Sequence, residues 1–450
     1  MYKEEEKKLT EMMDRYENIA VPDQVDGYIK AGIQQATKRK VRTRTTVFST
    51  LTAAVLVIFL ISSIRISPVF ASYVSQVPGL SSLVTLVQGD KGLESAVENS
   101  FVQVVDQSEK HNGITFNVSE VIADESRLLI FYTIESDKDI DSLTLSDVRI
   151  NNEAGESVVG SLGFDYMIEG IAKGEKKAGK LDVGFKEGMD LPEKIELKTN
   201  IEVGLSGEKR SLLDHTWEIN FPVDEKKFFG NEKVYTLNET VEVENQEITI
   251  KEVTVFPTRI AVHVKFDAQN TKRLFSFDDL AIVNGNGEEW ASVSNGVNAE
   301  LISKNEQILY LESNFFSKPE EMYVTFSSIR ALDKDRVSVV VDLKQNKLLK
   351  RPSQQLTLSD KSTSTNLVFS LTRPSNLDDH TTYEIFDQMY YDHNGEKNEF
   401  KNGQLISHIG DDNTIEISLP IEAGGLDGPI TLKLTDYPQR ISEDIKMPIK

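Results

Sequence analysis

The side chains best suited to chemistry are Asp392, Asn394 and Glu396, set at alternate positions around Gly395 in the run YDHNGEKNEF. Oxygen donors spaced this way around a glycine could open a calcium loop, because Ca²⁺ is held by carboxylates and carbonyls on a tightly turned backbone. The same place in two earlier segments holds Asn152, Gly155 and Glu156, and Asn284, Gly287 and Glu288. Asn and Gly tolerate positive φ and commonly reverse strands, so all three segments are expected to be turns without a bound ion. The six histidines, His111, His215, His263, His380, His393 and His408, show no HExxH or other paired-ligand spacing. With no cysteine in the chain, thiolate zinc sites, iron–sulfur centres, disulfides and Cys nucleophiles are excluded. A GxxxxGK[ST] loop, a GxGxxG after a strand and a GxSxG elbow are also absent. Neither enzymatic activity nor a cofactor or metal is expected.

The 450 residues that must position these side chains suffice for about three domains. A composition of 39% apolar and 27% charged residues is that of folded protein. The formal charge of −22 argues against nucleic-acid binding, which needs concentrated Lys and Arg.

Residues 45–64 read TTVFSTLTAAVLVIFLISSI without a charge. A helix of that length spans about 30 Å of hydrocarbon, so a single transmembrane helix is expected. Lys38, Arg39, Lys40, Arg42 and Arg44 precede it, whereas only Arg65 follows before Lys91. The positive-inside rule then puts the N-terminus in the cytoplasm and everything past Arg65 outside the cell membrane. Val69-Phe70-Ala71 resembles a signal-peptide cleavage site, but the apolar run and the basic segment before it are both too long for one.

Beyond residue 100 the apolar pattern alternates, as in 101–105, 114–118, 128–134, 248–255 and 260–266, which predicts a mainly β protein. Residues 147–156 align without gaps on 279–288 and on 387–396. At the offset of the first pair, Glu120, Val121 and Arg127 also match Glu252, Val253 and Arg259. The expectation is tandem immunoglobulin-like β-sandwiches at 100–228, 229–347 and 348–450. The juxtamembrane segment, 65–99, carries Val74, Val77, Leu80, Leu83, Val84 and Leu86 in a pattern of short amphipathic helices broken at Pro78-Gly79. These helices are expected to pack on the first sandwich, the outer leaflet being the alternative.

In the cytoplasmic segment, 1–44, Leu9, Met12, Met13, Tyr16 and Ile19 recur at helical spacing, as do Val25, Tyr28, Ile29, Ile33 and Ala36 after a break at Val21-Pro22-Asp23. Two apolar stripes on so short a segment need a partner, each other or the membrane surface. The expected partner-binding residues are Leu9, Met12, Met13, Tyr16, Val25, Tyr28, Ile29 and Ile33.

Val21-Pro22-Asp23, Val25-Asp26, Ile29 and Gly32-Ile33 before the apolar run, with Pro68, Pro78-Gly79-Leu80, Asp90-Lys91-Gly92-Leu93 and Ala96-Val97-Glu98-Asn99 after it, carry a resemblance to a known family. Over about 21–223 the chain resembles Bacillus-type single-pass membrane proteins that carry a domain of unknown function, often followed by immunoglobulin-like domains. Such proteins are similar to membrane-bound regulators of extracytoplasmic-function sigma factors. The resemblance implies that the cytoplasmic helices bind a sigma factor, and the lack of Cys and of the zinc-ligand His pattern implies a zinc-free contact. The expected function is anti-sigma-like regulation coupled to an extracytoplasmic ligand of unknown identity. The alternative is a non-signalling, surface-anchored wall- or protein-binding module.

Overall fold

The computed structural model describes residues 80–450 apart from 165–166, 187–188, 190–191, 205–209, 292–297, 374–383, 401–403, 410–412 and 422–427. The expected cytoplasmic helices, the uncharged run at 45–64 and residues 65–79 lie outside the described residues. Among the described residues no helix is long and apolar enough to cross a membrane.

The alternating runs fold as antiparallel strands, and the protein is mainly β. Strand β8 (Lys194–Gly204), KIELKTNIEVG, buries every second residue along most of its length, the period at which successive side chains change face. In the first sandwich one sheet runs β1 (Gln103–His111), β2 (Ile114–Ala123), β3 (Arg127–Ser136), β7 (Lys176–Phe185), β5 (Val159–Phe164). The other runs β6 (Ile168–Ile171), β4 (Ile140–Asn151), β8 (Lys194–Gly204), β9 (Ser211–Pro222). The second sandwich repeats the first sheet with β10 (Lys233–Val243), β11 (Gln246–Val255), β12 (Arg259–Phe266), β17 (Glu306–Glu312) and β16 (Ala299–Ser303). Facing it are β13 (Lys272–Phe277), β14 (Ala281–Asn284), β15 (Glu289–Trp290) and β18 (Met322–Asp333). The repeat extends to irregularities. The register shift between Val118 and Glu120 recurs between Ile250 and Glu252, and the bulge carrying Asp106 at φ 48° recurs at Asn238 with φ 51°.

One strand corrects the expected boundaries. The last strand, Arg440–Pro448, pairs with β18 as β9 pairs with β8, and Ile441, Met447 and Ile449 lie in the core of the second sandwich. The third unit is therefore not a tandem copy but an insertion between two strands of the second. It comprises β19 (Ser338–Asp342), β20 (Lys347–Lys350), β23 (Phe386–Tyr391), β24 (Lys397–Glu399) and β27 (Ile430–Leu434) in one sheet. Its second sheet holds β21 (Leu356–Leu358), β22 (Asn366–Thr372), β26 (Thr414–Pro420) and β25 (Leu405–Ile409). Strand β19, which the expected boundary placed in the second sandwich, belongs here, and the closing strand is β28 (Arg440–Pro448). A gapless comparison aligns turns and local strands; it carries no information on which core a terminal strand fills.

Two short helices precede this β-structure, α1 (Leu80–Val87) and, after Asp90, α2 (Lys91–Glu98). Their apolar side chains Leu83, Val87, Leu93, Ala96 and Val97 are buried.

Candidate functional site

The repeat places two hairpin turns against each other, 124–126 between β2 and β3 and 256–258 between β11 and β12. Arg127 donates from Nε to Thr258 Oγ1 at 2.9 Å and from Nη2 to the Thr258 carbonyl at 2.8 Å. Arg259 returns the contact, from Nε to Ser126 Oγ at 2.9 Å and from Nη2 to the Ser126 carbonyl at 2.6 Å. Each arginine grips the residue that precedes the other, so the first two sandwiches are joined by a pseudo-twofold clasp. Asp124 completes it. Its Oδ1 accepts from the N–H groups of Ser126 and Arg127 at 2.9 and 3.1 Å, and its Oδ2 from the N–H and hydroxyl of Thr258 at 2.9 and 2.6 Å.

Both guanidinium groups are buried, and burial of a charge is tolerated only with a partner. The two copies meet this demand differently. Arg127 Nη1 lies 3.1 Å from Asp182 Oδ2, whereas the Arg259 guanidinium sits 3.5 Å over the ring of Tyr310. Asp182 pairs with Leu129, and Tyr310 pairs with Ala261, the matching position of the second unit, so these are equivalent places filled by different chemistry. Burial pulls the Arg259 proton affinity down; it also raises the Tyr310 hydroxyl to about 12.

The helices enter the same junction. Helix α1 packs on β7 of the first sandwich, and α2 abuts the end of β17 in the second. Asp90 caps α2 by accepting the Leu93 N–H at 2.9 Å. The Lys91 N–H donates to Glu312 Oε1 at 3.2 Å and its ammonium to the Glu289 carbonyl at 2.7 Å. A Cβ on Gly92 would fall 2.5 Å from the Ser313 nitrogen, so only glycine lets the helix approach this closely. Phe101 follows, edge-on to Phe228 of the first sandwich at 5.1 Å and to Phe316 of the second at 5.7 Å. The connection between the sandwiches is held by Glu125, whose Oε1 accepts the N–H groups of Gly230 and Asn231.

Of these residues the internal repeat marks Arg127 and Arg259, and the family motif contains Asp90, Lys91 and Gly92. Asp124, Ser126, Asp182, Thr258 and Tyr310 differ between the two units or lack an aligned partner, so a search for matches passes over them. The expected partner-binding residues Leu9, Met12, Met13, Tyr16, Val25, Tyr28, Ile29 and Ile33 lie outside the described residues.

The segment around Asp392 is a tight turn. The Asp392 N–H donates to the Glu396 carbonyl at 3.0 Å, while Oδ1 accepts from Asn394 N–H at 2.9 Å and Glu396 N–H at 2.8 Å. Asn152 and Asn284 make the same bonds to Ala154 and Glu156, and to Asn286 and Glu288. Gly155, Gly287 and Gly395 take the left-handed conformation at φ 78°, 83° and 84°. Desolvation is the largest single influence and raises the Asp392 carboxyl, yet the Glu396 and Asn394 N–H groups together hold it below its ordinary range. Its Oδ1 is thus committed to the backbone. Among the described residues no group of three or more His, Asp or Glu side chains could hold a metal ion. Millimolar calcium is expected to leave the melting temperature of the protein unchanged; a rise of several degrees, abolished by Asp392→Ala, would establish an ion site instead.

His111 and His215 stack at 3.8 Å beside buried Trp217, and His215 meets Glu109 at 2.8 Å. His263 meets Glu306 at 2.7 Å.

Two family models match. Residues 42–136 match a domain of unknown function (DUF4179), from before the uncharged run through β3. Residues 232–358 match a family of unknown function (DUF5643), covering the second sandwich except β28 and the first strands of the insertion. Neither covers half of the chain. No curated protein matches the sequence. A conserved domain protein from Bacillus anthracis is similar in structure at 16% identity, over 58% of this chain and 87% of that one, with a TM-score of 0.40. An uncharacterised protein from Listeria monocytogenes EGD-e, solved with α-D-glucose, β-D-glucose, magnesium and calcium, gives 9% identity over 69% of this chain and 29% of that one, at a TM-score of 0.11. Likenesses this distant carry no argument about function.

Proposed function

We propose that the protein is a membrane-anchored regulator of the anti-sigma kind. In this reading residues 1–44 hold a cytoplasmic sigma factor, 45–64 cross the bilayer and the immunoglobulin-like sandwiches meet an extracytoplasmic ligand. The observation that supports it most is the seating of α1 and α2. A passive anchor needs only a loose tether, whereas the first described elements after the uncharged run are built into both the first and the second sandwich. A change in how those sandwiches sit would reach the chain leading to the membrane. The run of one family domain from 42 to 136, through the apolar segment into the first sheet, supports treating these parts as one device.

A specific feature favours the alternative of a surface-anchored binding module. Edge strand β16 is exposed along its whole length, with Leu301 at 77% and Ile302 at 50%, a form that accepts an added strand from another protein.

Topology is tested first. Cysteines introduced singly at positions 10 and 230 are expected to react with an impermeant thiol reagent in intact cells only at 230. Labelling at 10 would reverse the orientation, and a mature protein lacking its N-terminus would favour a cleaved signal peptide. The coupling is tested by capture: the full chain, solubilised in detergent, is expected to retain an extracytoplasmic-function sigma factor. Retention of none would leave the binding-module reading.

A further inference from the structure

One face of the third unit gathers positive charge. Between 338 and 439 the chain carries 15 Asp and Glu against nine Lys and Arg, yet the outer side of the β20-β19-β27-β23-β24 sheet is set with lysines. Val339, Val341, Leu432 and Tyr390 lie in the core, so the residues that alternate with them face outward. The ladder register sets Lys350, Val340, Thr431, Tyr391 and Lys397 side by side across all five strands. Lys433 stands opposite Ser338 in the next row, and Lys347 opposite Asp342 on the other side. In the first two sandwiches Lys110, Lys176, Lys177, Lys198, Lys251 and Lys272 each lie within 3.8 Å of a carboxylate. Among the described residues Lys347, Lys350, Lys397 and Lys433 have no such partner. The Lys350 ammonium donates to Ser338 Oγ at 3.0 Å, and that of Lys433 sits 4.0 Å over the Tyr391 ring. Asp342 gives its Oδ1 to the N–H groups of Lys344 and Gln345, and Glu399 stands on the outermost strand two residues from Lys397.

We propose that this face binds an extended polyanion that carries phosphate groups. A row across five strands spans about 19 Å at the usual strand spacing, too long for one phosphate and suited to a chain of them. Lysine ammonium groups on long stems neutralise successive phosphates as point charges. A docked protein would call for Arg and open aromatic rings, whereas this row holds no Arg and its ring, Tyr391, lies under the Lys433 ammonium. The site gives the proposed function a ligand class for the third unit, and it rests on that reading only for the compartment in which the polymer is met.

Acetylation of lysines by an amine-reactive ester, read residue by residue by mass spectrometry on the full chain in neutral detergent, tests the face. With long-chain inorganic polyphosphate at about ten times its Kd, the rates at Lys347, Lys350, Lys397 and Lys433 are expected to fall about tenfold, because only the free fraction reacts. Raising the salt should remove that protection. Lys350→Gln with Lys433→Gln should strip it from Lys397 as well, whereas Lys110→Gln with Lys176→Gln, an equal change in net charge, should leave it. Reading each site separates this face from the basic run at 38–44, which polyphosphate would also cover. Absence of protection at low salt, equal protection of Lys110 and Lys176, or a still-protected Lys397 in the first double variant would overturn the proposal. So would equal protection by poly-L-glutamate, which would mark a face for an acidic protein, or by phosphatidylglycerol in the micelle, which would mark a lipid contact. The purified chain is labelled without a membrane sidedness, so a failure here leaves the topology and the sigma-factor reading standing, and their failure leaves the labelling unchanged.

Discussion

Replacing Arg127 by alanine is expected to destabilise the protein by about 3–5 kcal/mol, the usual result of removing one partner from a buried ion pair. Asp182 would be left buried without its counter-charge, and the Thr258 hydroxyl and carbonyl would each lose a donor. For a unit of this size the change corresponds to a fall of roughly 10 °C in the melting temperature of the first two sandwiches. Arg259→Ala is expected to cost less, about 1–3 kcal/mol, because Tyr310 is left neutral when the cation above it is removed. Arg127→Met combined with Asp182→Leu should recover part of the loss, since replacing both charges avoids the stranded carboxylate. Calorimetry of the three variants decides the matter. A loss below about 1 kcal/mol for Arg127→Ala, or a double variant worse than the single, would mean that the clasp does not hold the sandwiches together.

Alternation made the β-class legible, and the matched turns at 147–156, 279–288 and 387–396 gave the turn chemistry residue by residue. That legibility has a local cause. A five-residue turn headed by Asn or Asp, with glycine at its fourth position, is specified by its own atoms, as the bonds at Asn152, Asn284 and Asp392 show. Insertion of the third unit was not legible, because nothing in the apolar residues of β28, Ile441, Ile445 and Met447, says which sandwich core they cover. Its assignment depends on the edge of β18 left open beside it, a property of the assembled sheet. The clasp was half legible. Arg127 and Arg259 repeat, but their functional contrast comes from Asp182 and Tyr310, which are equivalent only in strand register. Glu312 and Lys91 lie 221 positions apart and no sequence period connects them.

The second large effect concerns residues 1–44, which the proposed function places in the cytoplasm. Burying an aliphatic or aromatic side chain contributes about 1.5–3 kcal/mol, so placing charges at both Tyr28 and Ile29 is expected to weaken a helical interface roughly a hundredfold or more. Gln34, outside the apolar stripe, should tolerate a charge with little change. If residues 1–44 restrain a sigma factor by sequestering it, Tyr28→Asp with Ile29→Asp releases that factor while leaving the outer sandwiches intact. The alternative of a surface-anchored module predicts no transcriptional effect, because its cytoplasmic end is only an anchor.

The most direct measurement is a transcription reporter for the candidate sigma factor, read in cells expressing the full chain, the Tyr28→Asp/Ile29→Asp variant or a chain lacking residues 1–36. Reporter output is expected to be low with the full chain and to rise with both altered forms, at equal amounts of protein in the membrane. Unchanged output in both, with topology preserved, would contradict regulation through the cytoplasmic segment.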